Sequence, residues 1–186
     1  MSLLRKYINI IESANTDDEE FVYHGGTYTG GEYNPNRVGE PGNIRPLGKG
    51  IYAATTPEHA QRYVKYAGPS GKVQKFRVSK NAKLYPWGGA AWQQLSPEQA
   101  EWWRAKAKEV QDACEEAGLV KYNTFRKEYY SWIHALSGMN EFPSSHLEQL
   151  RKLLVSHGID GSRQVIGDLV ELVFYNTSVL QPVNDD

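Results

Sequence analysis

A single carboxylate, that of Glu171, interrupts an apolar run late in the chain. The run Leu169–Phe174 predicts a β-strand, in which neighbouring side chains point to opposite faces. Val173 then shares a face with Glu171, while Val170, Leu172 and Phe174 share the other face. A carboxylate in the middle of such a strand is costly unless it is paired or hydrogen-bonded. Glu171 is therefore either a functional acid or a charge that faces water from an edge strand.

A histidine followed by two glycines, His24-Gly25-Gly26, comes directly after the short apolar segment 21–23. Because glycine has no side chain, a ligand can approach the backbone closely at this point. A backbone N–H and C=O there could hold a carboxamide by two hydrogen bonds, while the imidazole of His24 reaches a ribose hydroxyl. A lone histidine can equally be packed or exposed without a function.

Two tyrosines, Tyr52 and Tyr63, are placed on a predicted strand and on the helix that follows it. If the helix folds back onto the strand, the two rings can face each other across a slot. Aromatic faces on both sides would sandwich a flat ring such as nicotinamide. Alternatively, Tyr63 and Tyr66 only anchor the helix to the sheet, and we expect this role for Tyr66.

In this order, the histidine, the tyrosine pair and the glutamate resemble the ADP-ribosyltransferase superfamily, in its His-Tyr-Glu branch that includes diphtheria toxin and the poly-ADP-ribose polymerases. The resemblance covers residues 21–67 and 158–183. It implies an α+β fold in which a split pair of small antiparallel sheets packs crosswise around an NAD cleft, within a single domain over residues 1–186. The segment 85–142, which holds all five tryptophans, has no counterpart in that family and is predicted to be a helical insertion.

The resemblance implies that NAD is the co-substrate. No metal is expected, because the five histidines have no ligand spacing that would build a zinc site. His24 would bind the adenosine-side ribose, the backbone of Gly25 the nicotinamide amide, and Tyr52 and Tyr63 the nicotinamide ring. Glu171 would hydrogen-bond the 2′-hydroxyl of the nicotinamide ribose. Cleavage of the glycosidic bond builds positive charge on that ribose, and a carboxylate beside it stabilises the transition state more than the ground state. The predicted catalytic residues are therefore Glu171, His24 and Tyr52.

The acceptor of the ADP-ribose is left open. Leu169 stands two residues before Glu171, where the arginine- and asparagine-modifying branch carries Glu or Gln, and this argues against arginine as the acceptor. A turn predicted at residues 160–164 offers Arg163 and Gln164 for acceptor recognition. Two further arginines, Arg37 and Arg45 in the glycine-rich loop 30–50, are candidates to bind the pyrophosphate bidentately, although either could be solvated.

The elements that must position these residues follow from helix-capping and periodicity signals. Thr56-Pro57-Glu58 predicts the start of a helix that runs to Ala67. Ser96 and Gln99 form a capping box that opens a second helix, which Gly118 closes. Residues 72–78 alternate as a strand, and further helices are predicted over residues 2–13, 122–136 and 145–157.

Composition limits the class of function. The chain has 186 residues and a formal net charge of −1, which suits one domain and argues against a generic nucleic-acid or membrane binder. Residues 36–80 carry nine Lys or Arg against two Glu, which suits a bound pyrophosphate or a solvated face. The one cysteine, Cys114, permits neither a disulfide nor a cysteine-based metal site. No segment approaches the roughly 20 apolar residues of a membrane span, and we expect the protein in the cytoplasm or delivered into a host cytoplasm.

We therefore expect an enzyme, a mono-ADP-ribosyltransferase that moves ADP-ribose from NAD to a macromolecular acceptor, protein or nucleic acid, and releases nicotinamide. Such an enzyme would act as a toxin, a phage-encoded modifier or a defence factor, and it could have an antitoxin or inhibitor as a partner. The alternatives are an NAD glycohydrolase, with water as the nucleophile, and a non-catalytic module that senses NAD or binds a protein.

Overall fold

The computed structural model describes residues 20–32, 49–119 and 144–183. Seven strands lie in these ranges: β1 (Phe21–Gly26), β2 (Ile51–Ala54), β3 (Lys72–Val78), β4 (Leu84–Trp87), β5 (Gly161–Ile166), β6 (Leu169–Phe174) and β7 (Leu180–Pro182). The same ranges hold four α-helices: α1 (Pro57–Val64), α2 (Gly89–Trp92), α3 (Pro97–Glu116) and α4 (Ser144–Ser156). The predicted α+β class is confirmed. The helices predicted over 2–13 and 122–136 lie outside the described residues.

The strands are hydrogen-bonded in one series, β4-β5-β6-β2-β1-β3-β7. Neighbouring strands are antiparallel except for β4 and β5, which are parallel. β2 pairs with β6 from Ile51↔Phe174 to Ala54↔Glu171, and this ladder joins the two halves of the sheet. The expected pair of separate antiparallel sheets is therefore wrong for the described strands, which form one mixed sheet.

The sheet is curled along this series and not flat. β3 and β4 stand five places apart in the order, yet only residues 79–83 connect them. Five interstrand spacings of a flat sheet would measure about 24 Å, whereas the six Cα–Cα steps of this connection span at most about 22 Å. The two ends of the sheet must therefore approach each other.

The curl gives the sheet two different faces. The concave face encloses a core built from every strand region of the sheet, consisting of Val22, Ile51, Ala53, Phe76, Val78, Val170, Leu172, Phe174, Val179 and Leu180, with Leu84 and Val165 against it. The convex face carries the helices: α3 and α4 bury a second core over β4, β5 and β6, and α1 packs over β1. Each strand in the middle of the sheet therefore has an apolar concave side and a convex side partly covered by helices.

Helix α1 begins as its sequence predicts. The hydroxyl of Thr56 accepts a hydrogen bond from the His59 amide at 3.4 Å, and Pro57 occupies the first turn. The helix ends at Val64 rather than at the predicted Ala67. The reason is a tightened last turn, because the Ala67 amide bonds to the Val64 carbonyl three residues back instead of continuing the four-residue pattern.

Helix α3 also follows its prediction. Ser96 and Gln99 form the reciprocal capping box, and Gly118 follows the helix with a φ of +66°. Trp103, Val110 and Cys114 on one side of α3 are buried in the core that it shares with α4. None of the helices in the described part of the chain is long and apolar enough to cross a membrane.

Three strands, β4, β5 and β7, were not predicted. The expected turn at residues 160–164 is wrong beyond its first residue, because Gly161–Ile166 forms strand β5. Leu84–Trp87 forms β4 at one end of the sheet, so the segment 85–142 begins inside the sheet. Of its two described helices, α2 and α3, the longer, α3, packs directly against the sheet and α4, and residues 120–143 lie outside the described residues.

Candidate functional site

Glu171 lies on a central strand, not on an edge. β6 is paired with β5 on one side and with β2 on the other, so the interpretation of Glu171 as an edge-strand charge is wrong. The predicted alternation is confirmed: Leu172 is fully buried in the concave core, whereas Val173 belongs to the core under the helices. Glu171 shares the convex face with Val173 and is half-buried there. Burial raises the pKa of the Glu171 carboxyl, against the opposing effect of a hydrogen bond from Tyr63.

Tyr63 on α1 is the partner of this carboxylate. Its hydroxyl donates to Glu171 Oε1 at 3.0 Å, across 108 positions of the sequence. Burial, together with the neighbouring carboxylate, raises the pKa of Tyr63 to about 12. The phenol is therefore a proton donor at neutral pH. Tyr66 is 57% exposed, so its expected role as an anchor of the helix is wrong.

Tyr52 lies on the same face as Glu171. The β2–β6 register pairs Tyr52 with Val173 and Ala54 with Glu171, so Tyr52 and Glu171 are diagonal neighbours on adjacent strands. The Tyr52 side chain is half-buried and packs against the core beneath α3 and α4. The slot predicted for a nicotinamide ring requires the rings of Tyr52 and Tyr63 to face each other. This slot stays a prediction.

His24 occupies a gap between two strands. β1 pairs with β3 through six residues but with β2 through one, Tyr23↔Ala54. Continuing that register would place Gly25 opposite Tyr52, yet there the imidazole Nδ1 of His24 lies 2.7 Å from the Tyr52 carbonyl oxygen. Since a carbonyl only accepts, Nδ1 is the donor of this hydrogen bond. The imidazole thus contacts β2 in place of a backbone hydrogen bond, at the point where β1 and β2 separate.

The two glycines after His24 are required by close neighbours within the protein. A Cβ at Gly25 would lie 1.9 Å from the carbonyl oxygen of Ala60 on α1, and a Cβ at Gly26 would lie 2.3 Å from Nε2 of His24. The absent side chain at Gly25 therefore lets helix α1, rather than a ligand, approach that face of the strand. This close packing is what brings Tyr63 over the sheet, because Ala60 and Tyr63 share the inner face of α1.

The two residues predicted for acceptor recognition lie on opposite faces of β5. Gln164 pairs directly with Glu171 and shares its convex face, whereas Arg163 pairs with Leu172 of the concave core. Arg163 interacts electrostatically with Glu20, whose carboxyl pKa is raised by burial and lowered by that guanidinium. The structure brings Gln164, but not Arg163, beside Glu171.

His24 alternates with Gly25 along β1 and lies on the concave side with Val22, where its ring contacts Tyr28, so neither His24 nor the remaining candidates add to this cluster. Arg37 and Arg45 lie outside the described residues. Cys114 is fully buried, and burial raises the pKa of its thiol to about 11, so it is not a nucleophile at neutral pH. Among the residues that the structure describes, no group of three or more His, Cys, Asp or Glu is arranged to hold a metal ion.

Comparison of this chain with protein-family models, with curated proteins and with solved structures finds no match. Its function must therefore be derived from the chemistry of Glu171 and its neighbours.

Proposed function

We propose that this protein is an NAD-dependent mono-ADP-ribosyltransferase, which transfers ADP-ribose from NAD to a macromolecular acceptor and releases nicotinamide. The observation that carries the proposal is the half-buried Glu171 carboxylate on a central strand, held at 3.0 Å by the Tyr63 hydroxyl. Such a site costs stability, because burial disfavours the charged form of the acid. A cost of this kind is commonly found at positions that serve chemistry.

The carboxylate has an oxygen left for a substrate. Tyr63 donates to Oε1, and no described residue donates to Oε2. A carboxylate has about four acceptor positions, so it can hold the phenol and a ribose hydroxyl at the same time. Fixed by Tyr63, it would bind the 2′-hydroxyl of the nicotinamide ribose and stabilise the positive charge that develops on that sugar as nicotinamide leaves.

The separation of β1 and β2 supports a nicotinamide site next to this carboxylate. Past Tyr23↔Ala54 the two strands no longer pair, and the imidazole of His24 spans the gap to the Tyr52 carbonyl. A carboxamide binds to one donor and one acceptor that lie side by side. A strand that is no longer paired with its neighbour offers both, as backbone N–H and C=O groups. Tyr63 is 38% exposed and its Cβ lies beside Gly25, so its ring would lie against the nicotinamide.

The test is release of nicotinamide from NAD by the wild type and by Glu171→Gln. We expect the variant to lose release while NAD still raises the melting temperature, because glutamine keeps the shape and an acceptor for Tyr63 but not the charge. Glu101→Gln, an exposed change on α3, is the matched control and should retain wild-type turnover. Unchanged turnover of Glu171→Gln would refute the catalytic assignment.

The same assay separates the alternative functions. Labelled NAD incubated with a clarified cell lysate, followed by protease or nuclease digestion, identifies a transferase and the class of its acceptor. Nicotinamide release without transfer of label identifies a glycohydrolase. A rise in melting temperature with NAD but no release identifies a non-catalytic NAD-binding module.

A further inference from the structure

Gln164 has a buried polar atom that the protein does not satisfy. Its side-chain oxygen Oε1 is inaccessible to solvent and has no hydrogen-bond partner among the described residues. A buried acceptor without a partner destabilises a protein, and native structures leave few of them without a reason. The residue as a whole is half-buried, so a rotation of its side chain would turn this oxygen toward a donor that arrives with a ligand.

Its place next to Glu171 is fixed by a tight hairpin. Gly167, with a φ of +62°, and Asp168 form the two-residue connection between β5 and β6, so Ile166 pairs with Leu169. Counting back along both strands places Gln164 opposite Glu171. Side chains of directly paired residues have Cβ atoms about 4.5–5.5 Å apart, within reach of one small chemical group held between them.

The order of the strands separates the two sides of Glu171. From the carboxylate on β6, the sheet continues through β2 to β1, where Gly25 and α1 lie. Tyr63 reaches Glu171 from that side. In the opposite direction the neighbour is β5, which presents Gln164 on the same face. Nicotinamide held near Gly25 and Tyr63 therefore leaves Glu171 in the middle and Gln164 on the far side.

We infer that Gln164 orients the acceptor nucleophile on the side of Glu171 opposite to the nicotinamide site, an inference that rests on the proposed transferase function. A nucleophile that displaces nicotinamide directly must approach the anomeric carbon from the side away from the leaving group. Oε1 of Gln164 accepts a hydrogen bond from the acceptor's O–H or N–H and aims its lone pair at that carbon. The new bond forms as the glycosidic C–N bond breaks, nicotinamide leaves with that electron pair as a neutral molecule, and the acceptor's proton passes to Glu171 or to water.

Gln164→Leu tests this role with two readouts, transfer and hydrolysis. Biotinylated NAD and the desalted macromolecules of a clarified bacterial lysate serve as probes for transfer, and nicotinamide release without lysate measures hydrolysis. Loss of one hydrogen bond to a reacting group corresponds to a drop in transfer of about 10- to 100-fold. We expect hydrolysis to stay within about threefold of the wild type, because water enters without needing that bond.

Stability distinguishes this result from misfolding. Leucine removes the unsatisfied amide while keeping a similar shape, so the melting temperature should be unchanged or higher. Gln181→Leu, the same substitution on the exposed strand β7, is the control and should leave transfer and hydrolysis unchanged. Gln164→Met provides a second variant and should behave like Gln164→Leu.

Each outcome decides the inference. Unchanged transfer in both Gln164 variants overturns it, and so does an equal loss of transfer and hydrolysis, which would assign Gln164 to NAD itself. Hydrolysis without transfer by the wild type would leave no macromolecular acceptor to orient and would also overturn it. A wild type that releases no nicotinamide would instead refute the proposed function.

Discussion

Gly25→Ala should separate helix α1 from the site with a single methyl group. The added Cβ would lie 1.9 Å from the Ala60 carbonyl oxygen, whereas ordinary contact begins at 3.4 Å. Backbone atoms on both sides leave no flexible side chain to move, so α1 must lift by about 1.5 Å, the difference between these distances. If Tyr63 moves with the helix, its 3.0 Å bond to Glu171 lengthens beyond hydrogen-bonding distance.

The expected effects are a modest loss of stability and a large loss of activity. Overpacking of this kind costs about 1–3 kcal/mol, and a domain of this size loses about 2–4 °C of melting temperature per kcal/mol. The melting temperature should therefore fall by about 3–10 °C, measured by differential scanning calorimetry. A misplacement of about 1 Å can cost about 100-fold in rate, so we expect a decrease of that order in nicotinamide release at a temperature where the variant is folded.

Val110→Ala is the control for stability. Val110 lies on α3 and is fully buried in the core that α3 and α4 share. Its truncation should therefore lower the melting temperature to a similar extent while leaving α1 in place. Its nicotinamide release should remain near that of the wild type. A Gly25→Ala protein with wild-type melting temperature and turnover would refute the close packing of α1 on β1 and its role in positioning Tyr63.

Two further predictions concern the Glu171 carboxyl. Tyr63→Phe keeps the ring but removes the hydrogen bond that lowers the pKa of Glu171, so the acid limb of the pH profile of nicotinamide release should move to higher pH; an unchanged limb would contradict the bond. Glu171→Gln should make the protein more resistant to urea at neutral pH. Burial raises the folded-state pKa of Glu171. The stability that this carboxyl contributes to the protein is therefore fully present below the unfolded pKa of about 4.3 and is lost as pH rises through the folded value. In urea titrations, the difference in the free energy of unfolding between Glu171→Gln and the wild type should therefore be small at acid pH and grow across that window. A difference that does not change with pH would exclude the carboxyl as its source.

The sequence predicted those parts of the site whose signals are local. The apolar run around Glu171 predicted β6 and the alternation of its faces, because strand periodicity is a property of neighbouring residues. Thr56 and Pro57 predicted where α1 begins for the same reason. That Tyr63 bonds Glu171 depends on how α1 packs on β1, which no spacing in the sequence encodes.

The missed strands had features that usually argue against a strand. β4 contains Pro86, but it lies at the end of the sheet and pairs only with β5, where a missing N–H can face outward. β5 begins at Gly161 after Asp160, a dipeptide typical of turns. The Gly167-Asp168 pair between Ile166 and Leu169 was nevertheless a usable hairpin signal, and it would have placed Gln164 opposite Glu171.

The position of the site follows from how the convex face is covered. Helix α1 protects β1, and α3 and α4 protect β4 and part of β6, so the boundary between these two groups runs over β6 and β2. The cover of β5 is partial as well, because Ser162 is fully buried, Gln164 is half-buried and Ile166 is 49% exposed. On the concave face the same strands are fully buried, and a charge there would have no access to water. A half-buried carboxylate is tolerated only at the boundary, where Tyr63 supplies a hydrogen bond and solvent or substrate can reach the other oxygen. The arrangement of the helices therefore makes residue 171 a position of β6 at which an acid can be retained and still be reached from solvent.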